Sequence, residues 1–123
     1  MDIFLIIDLS HDMNKYLLDM KNLLTAFLTD AENLGNATDQ IAIITLGETA
    51  NLKSPKTNDY SALKKIIDEL TFLGQTPNST LVRRELQAII GAQPRPYRFA
   101  VFTDGAGAKI ETVCFDCWLQ LIF

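Results

Sequence analysis

Three apolar runs along the chain have the length and composition of buried β-strands. They occupy residues 3–7, 41–47 and 99–102 and consist mostly of Ile, Leu, Val, Ala and Phe. Apolar side chains at consecutive positions are typical of a strand that is covered on both faces, as in a parallel sheet. The first run ends at Asp8, and the third is followed by Thr103 and Asp104. We therefore expect carboxylates where two buried strands reach the surface.

Three segments between and around these strands have the apolar spacing of amphipathic helices. They cover residues 12–34, about 60–73 and about 79–90, and each is followed by a glycine that ends it. Asn78 or Ser79 can cap the third helix. The positions expected to face inward are Met13, Tyr16, Leu17, Met20, Leu23, Leu24, Phe27 and Leu28, then Leu63, Ile66, Ile67, Leu70 and Leu73, then Leu81, Val82, Leu86, Ile89 and Ile90.

The stretch between the second apolar run and the second helix is less regular. It contains Pro55 and several turn-forming residues, so we expect at most a short edge strand near 50–52, followed by a loop. Strands that alternate with helices pair in parallel through right-handed crossovers, which brings the carboxyl ends of central strands to one edge. The pattern predicts an α/β fold with a mostly parallel sheet.

Composition and charge exclude several classes of function. The chain has 123 residues, 48% of them hydrophobic, which fits one globular domain with a substantial core. Its net charge of −4 and its scattered basic residues provide no broad cationic surface, so we expect no nucleic-acid partner. The apolar opening is too short to cross a bilayer and lacks a basic leader, so we expect neither a membrane span nor a secretion signal.

The rim of the predicted sheet collects side chains with oxygen atoms. Asp8 and Asp104 should meet there, with Ser10 and Asp12 just after the first strand and Thr76 in a loop before the third helix. Two carboxylates in one crevice repel each other unless they share a proton or a cation. A donor set made of oxygen atoms suits Mg²⁺, Mn²⁺ or Ca²⁺ rather than zinc.

Each of these residues also has an ordinary structural interpretation. Asp8 and Asp104 could accept hydrogen bonds from turn amides, and Ser10 and Thr76 are common turn residues. Asp12 could equally be a charge in the first turn of the helix that it precedes, where the helix dipole favours it.

Three short motifs resemble a known family. Asp-Leu-Ser-His-Asp at 8–12, Gly-Gln-Thr at 74–76 and Phe-Thr-Asp-Gly at 102–105 resemble the three loops of the metal-ion-dependent adhesion site in von Willebrand factor type A domains. Asp8, Ser10, Thr76 and Asp104 match the family pattern, whereas Asp12 stands where the family has a second Ser. The resemblance runs from about Asp2 to Gly105.

The resemblance implies a doubly wound, Rossmann-like sheet with helices on both faces and a divalent metal, most often Mg²⁺, at its rim. Members of the family usually bind a protein ligand whose Asp or Glu side chain completes the metal coordination, and they are not enzymes. We therefore expect a partial domain of this family over residues 1–108, because the family's closing helix and strands do not follow. Residues 109–123 form an apolar tail that is atypical of the family and that could add a strand to the sheet edge.

Several alternatives follow from the same residues. A surface or matrix protein is the favoured parent, but an intracellular assembly scaffold with a weakened metal site would share the fold. The rival from another class is a haloacid-dehalogenase-like phosphatase, in which Asp8 would be the nucleophile and Asp104 a Mg²⁺ ligand. Such enzymes need a second Asp two positions after the nucleophile, where this chain has Ser10.

Overall fold

A computed structural model describes residues 2–34, 39–75, 78–103 and 118–122. Within these residues, five strands and three α-helices follow one another in an α/β order. Their bounds are β1 Asp2–Asp8, a 3₁₀ turn His11–Tyr16, α1 Leu17–Leu34, β2 Gln40–Leu46, β3 Ala50–Thr57, α2 Tyr60–Asp68, α3 Ser79–Ile90, β4 Tyr97–Thr103 and β5 Trp118–Ile122.

The strands form one mostly parallel sheet in the order β3-β2-β1-β4-β5. β1 lies in the middle and pairs in parallel with β2 on one side and with β4 on the other. β5 extends the sheet in parallel beyond β4, and β3 pairs with β2 in the antiparallel direction. The predicted fold class is therefore confirmed, and β1 ends at the centre of the sheet rim.

The two faces of the sheet carry separate hydrophobic clusters, because successive side chains of a strand point to opposite faces. Leu5 and Ile7 of β1 face α1 and α2, whereas Phe4 and Ile6 face α3. α1 contributes Met20, Leu24 and Leu28 to the first cluster, α2 contributes Leu63 and Ile67, and α3 contributes Val82, Leu86 and Ile90 to the second. Helices thus cover both faces, as a doubly wound sheet requires.

Two helices begin at side-chain caps. Asp59 accepts a hydrogen bond from the Ala62 amide at 3.1 Å before α2, and Asn78 accepts one from the Leu81 amide at 3.1 Å before α3. Asn78 is therefore the cap of the third helix, one of the two residues expected for that position. Within the described part of the chain, none of the helices is long and apolar enough to cross a membrane.

The prediction of a short strand near 50–52 was wrong, because β3 continues to Thr57. β3 is an edge strand, so a proline without an N–H is tolerated in it. The register of β3 against β2 shifts on both sides of Ile43, and the two strands stay paired across these shifts. Ser54 lies opposite Ile43 and is buried. The pairing partner, which no local pattern reveals, keeps this polar segment extended.

The second helix is shorter than predicted, and two inward assignments were wrong. α2 ends at Asp68, whose carbonyl accepts a hydrogen bond from Lys21 Nζ at 2.8 Å. Leu70 remains buried, but Leu73 is 39% exposed because its amide turns back to the Leu9 carbonyl instead of continuing a helix. Leu23 is 42% exposed, since it lies beside the buried stripe of α1 rather than on it.

Part of the apolar tail joins the sheet. Residues 118–122 form β5, whose register places Trp118 beside Phe99 and Ile122 beside Thr103. The sequence left open whether this segment would pair, and the structure places it as an additional parallel edge strand. Parallel pairing is compatible with its run of apolar residues.

Candidate functional site

The central strand delivers two of the predicted site residues to the sheet rim. Asp8 is the last residue of β1, and the next amide, that of Leu9, donates to the Leu46 carbonyl of β2 at 2.8 Å. Asp8 has no exposed surface and Ser10 is 3% exposed. The pairing of β1 with β2 therefore continues to Leu9, the residue between Asp8 and Ser10, and fixes the backbone there.

Asp8 and Ser10 are in direct contact through their oxygen atoms. The Ser10 amide donates to Asp8 Oδ1 at 2.9 Å, and the Ser10 hydroxyl donates to the same oxygen. Ser10 is also the N-cap of the 3₁₀ turn, with extended backbone angles, but its side chain caps no amide there. The hydroxyl therefore faces the carboxylate rather than the helix end. Two oxygen atoms of the kind that ligate hard cations lie side by side.

The loop that leads to Thr76 is attached beside this end of β1. The Leu73 amide donates to the Leu9 carbonyl at 3.3 Å. Further along, the Glu48 amide donates to Gln75 Oε1 at 3.0 Å, and the Asn78 amide donates to the Glu48 carbonyl at 3.4 Å. Residues before and after Thr76 therefore contact the loops that follow β1 and β2 at one edge of the sheet.

The five predicted site residues are described to different extents. Asp8 and Ser10 are described with their side chains, whereas Asp12 is placed only as part of the 3₁₀ turn. Thr76 and Asp104 lie outside the described residues. The strand before Asp104 is placed, since β4 runs beside β1 with Phe102 opposite Ile7.

The described residues contain no group of three or more His, Cys, Asp or Glu side chains close enough to hold a metal ion. Asp104 and the side chain of Asp12 are not among these described residues. The ligand roles of all five residues therefore stay predictions.

Sequence reasoning missed two residues that hold the site loops. Gly47 follows β2 immediately and is buried, and Gln75 lies over it. The sequence offered only a weak signal for this pairing, because a glycine after a strand and a polar residue in a loop are both common. Their contact depends on the spatial closeness of two loops 28 residues apart.

The chain was then compared with known protein families. Residues 3–106 match the model of the von Willebrand factor type A domain. The chain belongs to this family. The match includes the Asp8 and Ser10 loop and extends to residues 104–106, which follow β4.

Several solved structures are similar to most of this chain. The vWF domain of the type V pili tip protein Mfa5 from Porphyromonas gingivalis has a TM-score of 0.72 and 18% identity, with 91% of this chain and 42% of that chain covered. An aerotolerance-related membrane protein from Bacteroides fragilis has a TM-score of 0.68 and 19% identity, with coverage of 86% and 55%. The open conformation of the pilus adhesin SpaC from Lactobacillus rhamnosus GG has a TM-score of 0.68 and 18% identity, with coverage of 85% and 14%.

These similarities establish the fold of the type A domain. The aligned part of the chain corresponds to between 14% and 55% of the length of these three proteins. A comparison with curated proteins found no match.

The contact between Ser10 and Asp8 predicts a stability effect that a second buried serine can calibrate. Ser10→Ala should lower the free energy of unfolding of the metal-free type A domain by about 1.5–3 kcal/mol, because the lost hydrogen bond has a carboxylate acceptor. Ser54 is also buried, but its hydroxyl donates to the neutral Pro55 carbonyl at 2.9 Å. Ser54→Ala should cost about 0.5–1.5 kcal/mol.

Urea unfolding of both variants and the wild type measures this difference. Equal losses for the two substitutions would mean that the Ser10 hydroxyl contributes nothing beyond an ordinary neutral hydrogen bond.

Proposed function

We propose that this type A domain is a cation-dependent protein-binding module of the adhesion or matrix type. The observation that carries the proposal is the contact between the Asp8 carboxylate and the Ser10 hydroxyl at the carboxyl end of the central strand. Open α/β sheets bind their ligands at this edge. Structural similarity to a pilus tip protein and a pilus adhesin supports a binding role.

The donor atoms fit a hard divalent cation. Asp8 supplies a carboxylate and Ser10 a neutral hydroxyl, and oxygen ligands of both kinds suit Mg²⁺, with Mn²⁺ and Ca²⁺ as alternatives. In the proposed site, Thr76 and Asp104 would add oxygen ligands from the second and third loops, and Asp12 would add a third carboxylate. Asp8, Ser10, Thr76 and Asp104 match the family motif, and Asp12 stands at the position of its second Ser.

The bound ion would supply an electrophilic centre for an Asp or Glu side chain of a protein ligand. The chain's own residues determine how strong that attraction is. Ser10 and Thr76 donate neutral oxygen atoms, which leave positive charge on the ion, whereas Asp8 and Asp104 neutralise part of it. A site with few charged ligands therefore binds an external carboxylate more strongly. A site with many charged ligands binds the ion more strongly but attracts an external carboxylate less.

The enzymatic alternative is less well supported by the geometry. A phosphatase that used Asp8 as its nucleophile would need a carboxylic acid two residues later to move a proton. Ser10 occupies that position, and its hydroxyl donates its hydrogen bond to Asp8 itself. We therefore assign the rim to binding. A type A assembly scaffold with a weakened metal site remains the second candidate. Cation titration distinguishes it from the cation-dependent binding module.

The first functional prediction concerns Asp104. Asp104→Ala should abolish Mg²⁺ binding, because the third loop would lose its only carboxylate in the motif, while urea unfolding should change little. The matched control is Asp30→Ala, which removes an exposed carboxylate of α1 that lies close to Ile3, at the opposite end of β1.

Isothermal titration of the wild type and both variants with Mg²⁺ and Mn²⁺ tests the metal proposal. The expected result is binding by the wild type and by Asp30→Ala only. Normal binding by Asp104→Ala would favour the turn-capping role of Asp104, and failure of the wild type to bind would favour the scaffold.

The second functional prediction concerns Asp12. Asp12→Ser should weaken Mg²⁺ affinity and strengthen the binding of a carboxylate ligand, because a neutral oxygen leaves more of the ion's charge available. Titrations with Mg²⁺ alone, and with a Glu-containing peptide at saturating Mg²⁺, should be made at equal ionic strength because salt screens exposed charges. If the Ser variant gains no peptide affinity, or if its Mg²⁺ affinity is unchanged, Asp12 is only a first-turn charge of the helix.

A further inference from the structure

Gln75 attaches the second site loop to the turn that follows β2. Its Oε1 accepts a hydrogen bond from the Glu48 amide at 3.0 Å. The two backbone attachments of this loop are longer, at 3.3 Å from the Leu73 amide to the Leu9 carbonyl and 3.4 Å from the Asn78 amide to the Glu48 carbonyl. N–H···O bonds are strongest between about 2.7 and 3.2 Å, so the side-chain bond is the best of the three.

The turn that receives Gln75 is itself held on two sides. The Gly47 amide donates to the Thr49 carbonyl at 2.9 Å, which closes the turn. The Ala50 amide, at the start of β3, donates to Glu85 Oε2 of α3 at 3.0 Å. Gln75 therefore docks on a turn whose position is fixed by the sheet and by a helix.

Glycine at position 47 leaves the space that Gln75 occupies. A Cβ added to Gly47 would overlap Gln75 Oε1, lie 3.3 Å from Gln75 Cδ and lie 3.0 Å from Leu73 Cδ1. Gly47 does not have a positive φ, unlike Gly74, the residue before Gln75. The requirement for glycine at 47 is therefore a requirement for space, not for backbone conformation.

We propose that Gln75 is a positioning residue that holds residues 73–75, the segment that leads to Thr76, against the end of β2, and that Gly47 permits this by leaving room for the Gln75 side chain. The inference rests on the proposed metal site. Gln75 does not contact the ion in this scheme. It keeps the loop docked in the metal-free protein, so that cation binding does not have to order the loop.

Gln75→Met tests the hydrogen bond, because Met keeps the length of the side chain but replaces the acceptor oxygen. Mg²⁺ affinity should fall by up to about fivefold, the limit set by one neutral hydrogen bond. Gly47→Ala should produce a similar loss by displacing Gln75. In the double variant the two losses should not add, because the flexible Met side chain can turn away from Ala and the bond is already absent.

Two controls separate positioning from general stability. Gln87→Met makes the same chemical change at an exposed position of α3 and should leave Mg²⁺ affinity unchanged. The metal-free Gln75→Met variant should lose less stability in urea than the whole hydrogen bond contributes, because its loop undocks locally and the fold persists, while hydrogen exchange of the Glu48 amide should accelerate. A residue with only a structural role would instead lower the urea midpoint and leave the affinity unchanged.

The outcomes distinguish this inference from the function on which it rests. If the wild type binds Mg²⁺ and Gln75→Met binds it equally well, the positioning role is wrong and the metal site stands. Additive losses in the double variant would also overturn it, since Gly47 and Gln75 would then act separately. If the wild type does not bind Mg²⁺, the metal site fails, and the role of Gln75 in metal affinity fails with it.

Discussion

The position of β1 in the middle of the sheet is the constraint on which the rest of the structure depends. β1 pairs with a parallel strand on each side and is covered by helices on both faces. Its side chains therefore alternate between two apolar clusters, and its polar residues can only stand at its two ends. Asp8 follows the last of these apolar positions, which places its carboxylate at the rim where neighbouring loops converge.

The opposite end of β1 carries a second buried carboxylate with a different role. Asp2 has no exposed surface, and Lys56 Nζ lies 3.0 Å from its Oδ2 while an Arg95 nitrogen lies 3.7 Å from its Oδ1. Lys56 belongs to β3 and Arg95 to the segment before β4, so the charge joins the central strand to both halves of the sheet. A buried carboxylate without a cation would be costly. Asp2 is compensated by the chain's own cations, and we propose that the carboxylate at the other end contributes to a metal site.

The sequence predicted the features that depend on local chemistry. Uninterrupted apolar runs indicated β1, β2 and β4, because strands covered on both faces carry them. Asn78 was one of the two residues expected to cap α3, and the structure selects it. The length of β3 was not predictable in the same way, because pairing with β2 holds Pro55 and its neighbours extended. Leu73 was misassigned for a related reason, since its amide bonds to Leu9 across the fold.

The candidate site likewise contains features that the local sequence predicts and features that only the fold reveals. The spacing of Asp8 and Ser10 in one loop indicated their closeness, and their oxygen atoms are in contact in the structure. The pairing of Gln75 with Gly47 and Glu48 joins loops that are distant along the chain, so only the fold reveals it. Short motifs can therefore indicate candidate residues of a site, whereas the residues that hold its loops together depend on tertiary contacts.

The most direct test of the account is the location of a bound cation on the folded chain. Paramagnetic Mn²⁺, added below stoichiometric amounts, broadens the NMR signals of nearby amides. The account predicts selective loss of the Leu9 and Ser10 amide signals, while those of Asp2 and Gln40, about 20 Å away at the other end of the central strands, persist. Broadening centred on the Asp2 end, or spread evenly over the acidic surface, would contradict a metal site at the end of β1.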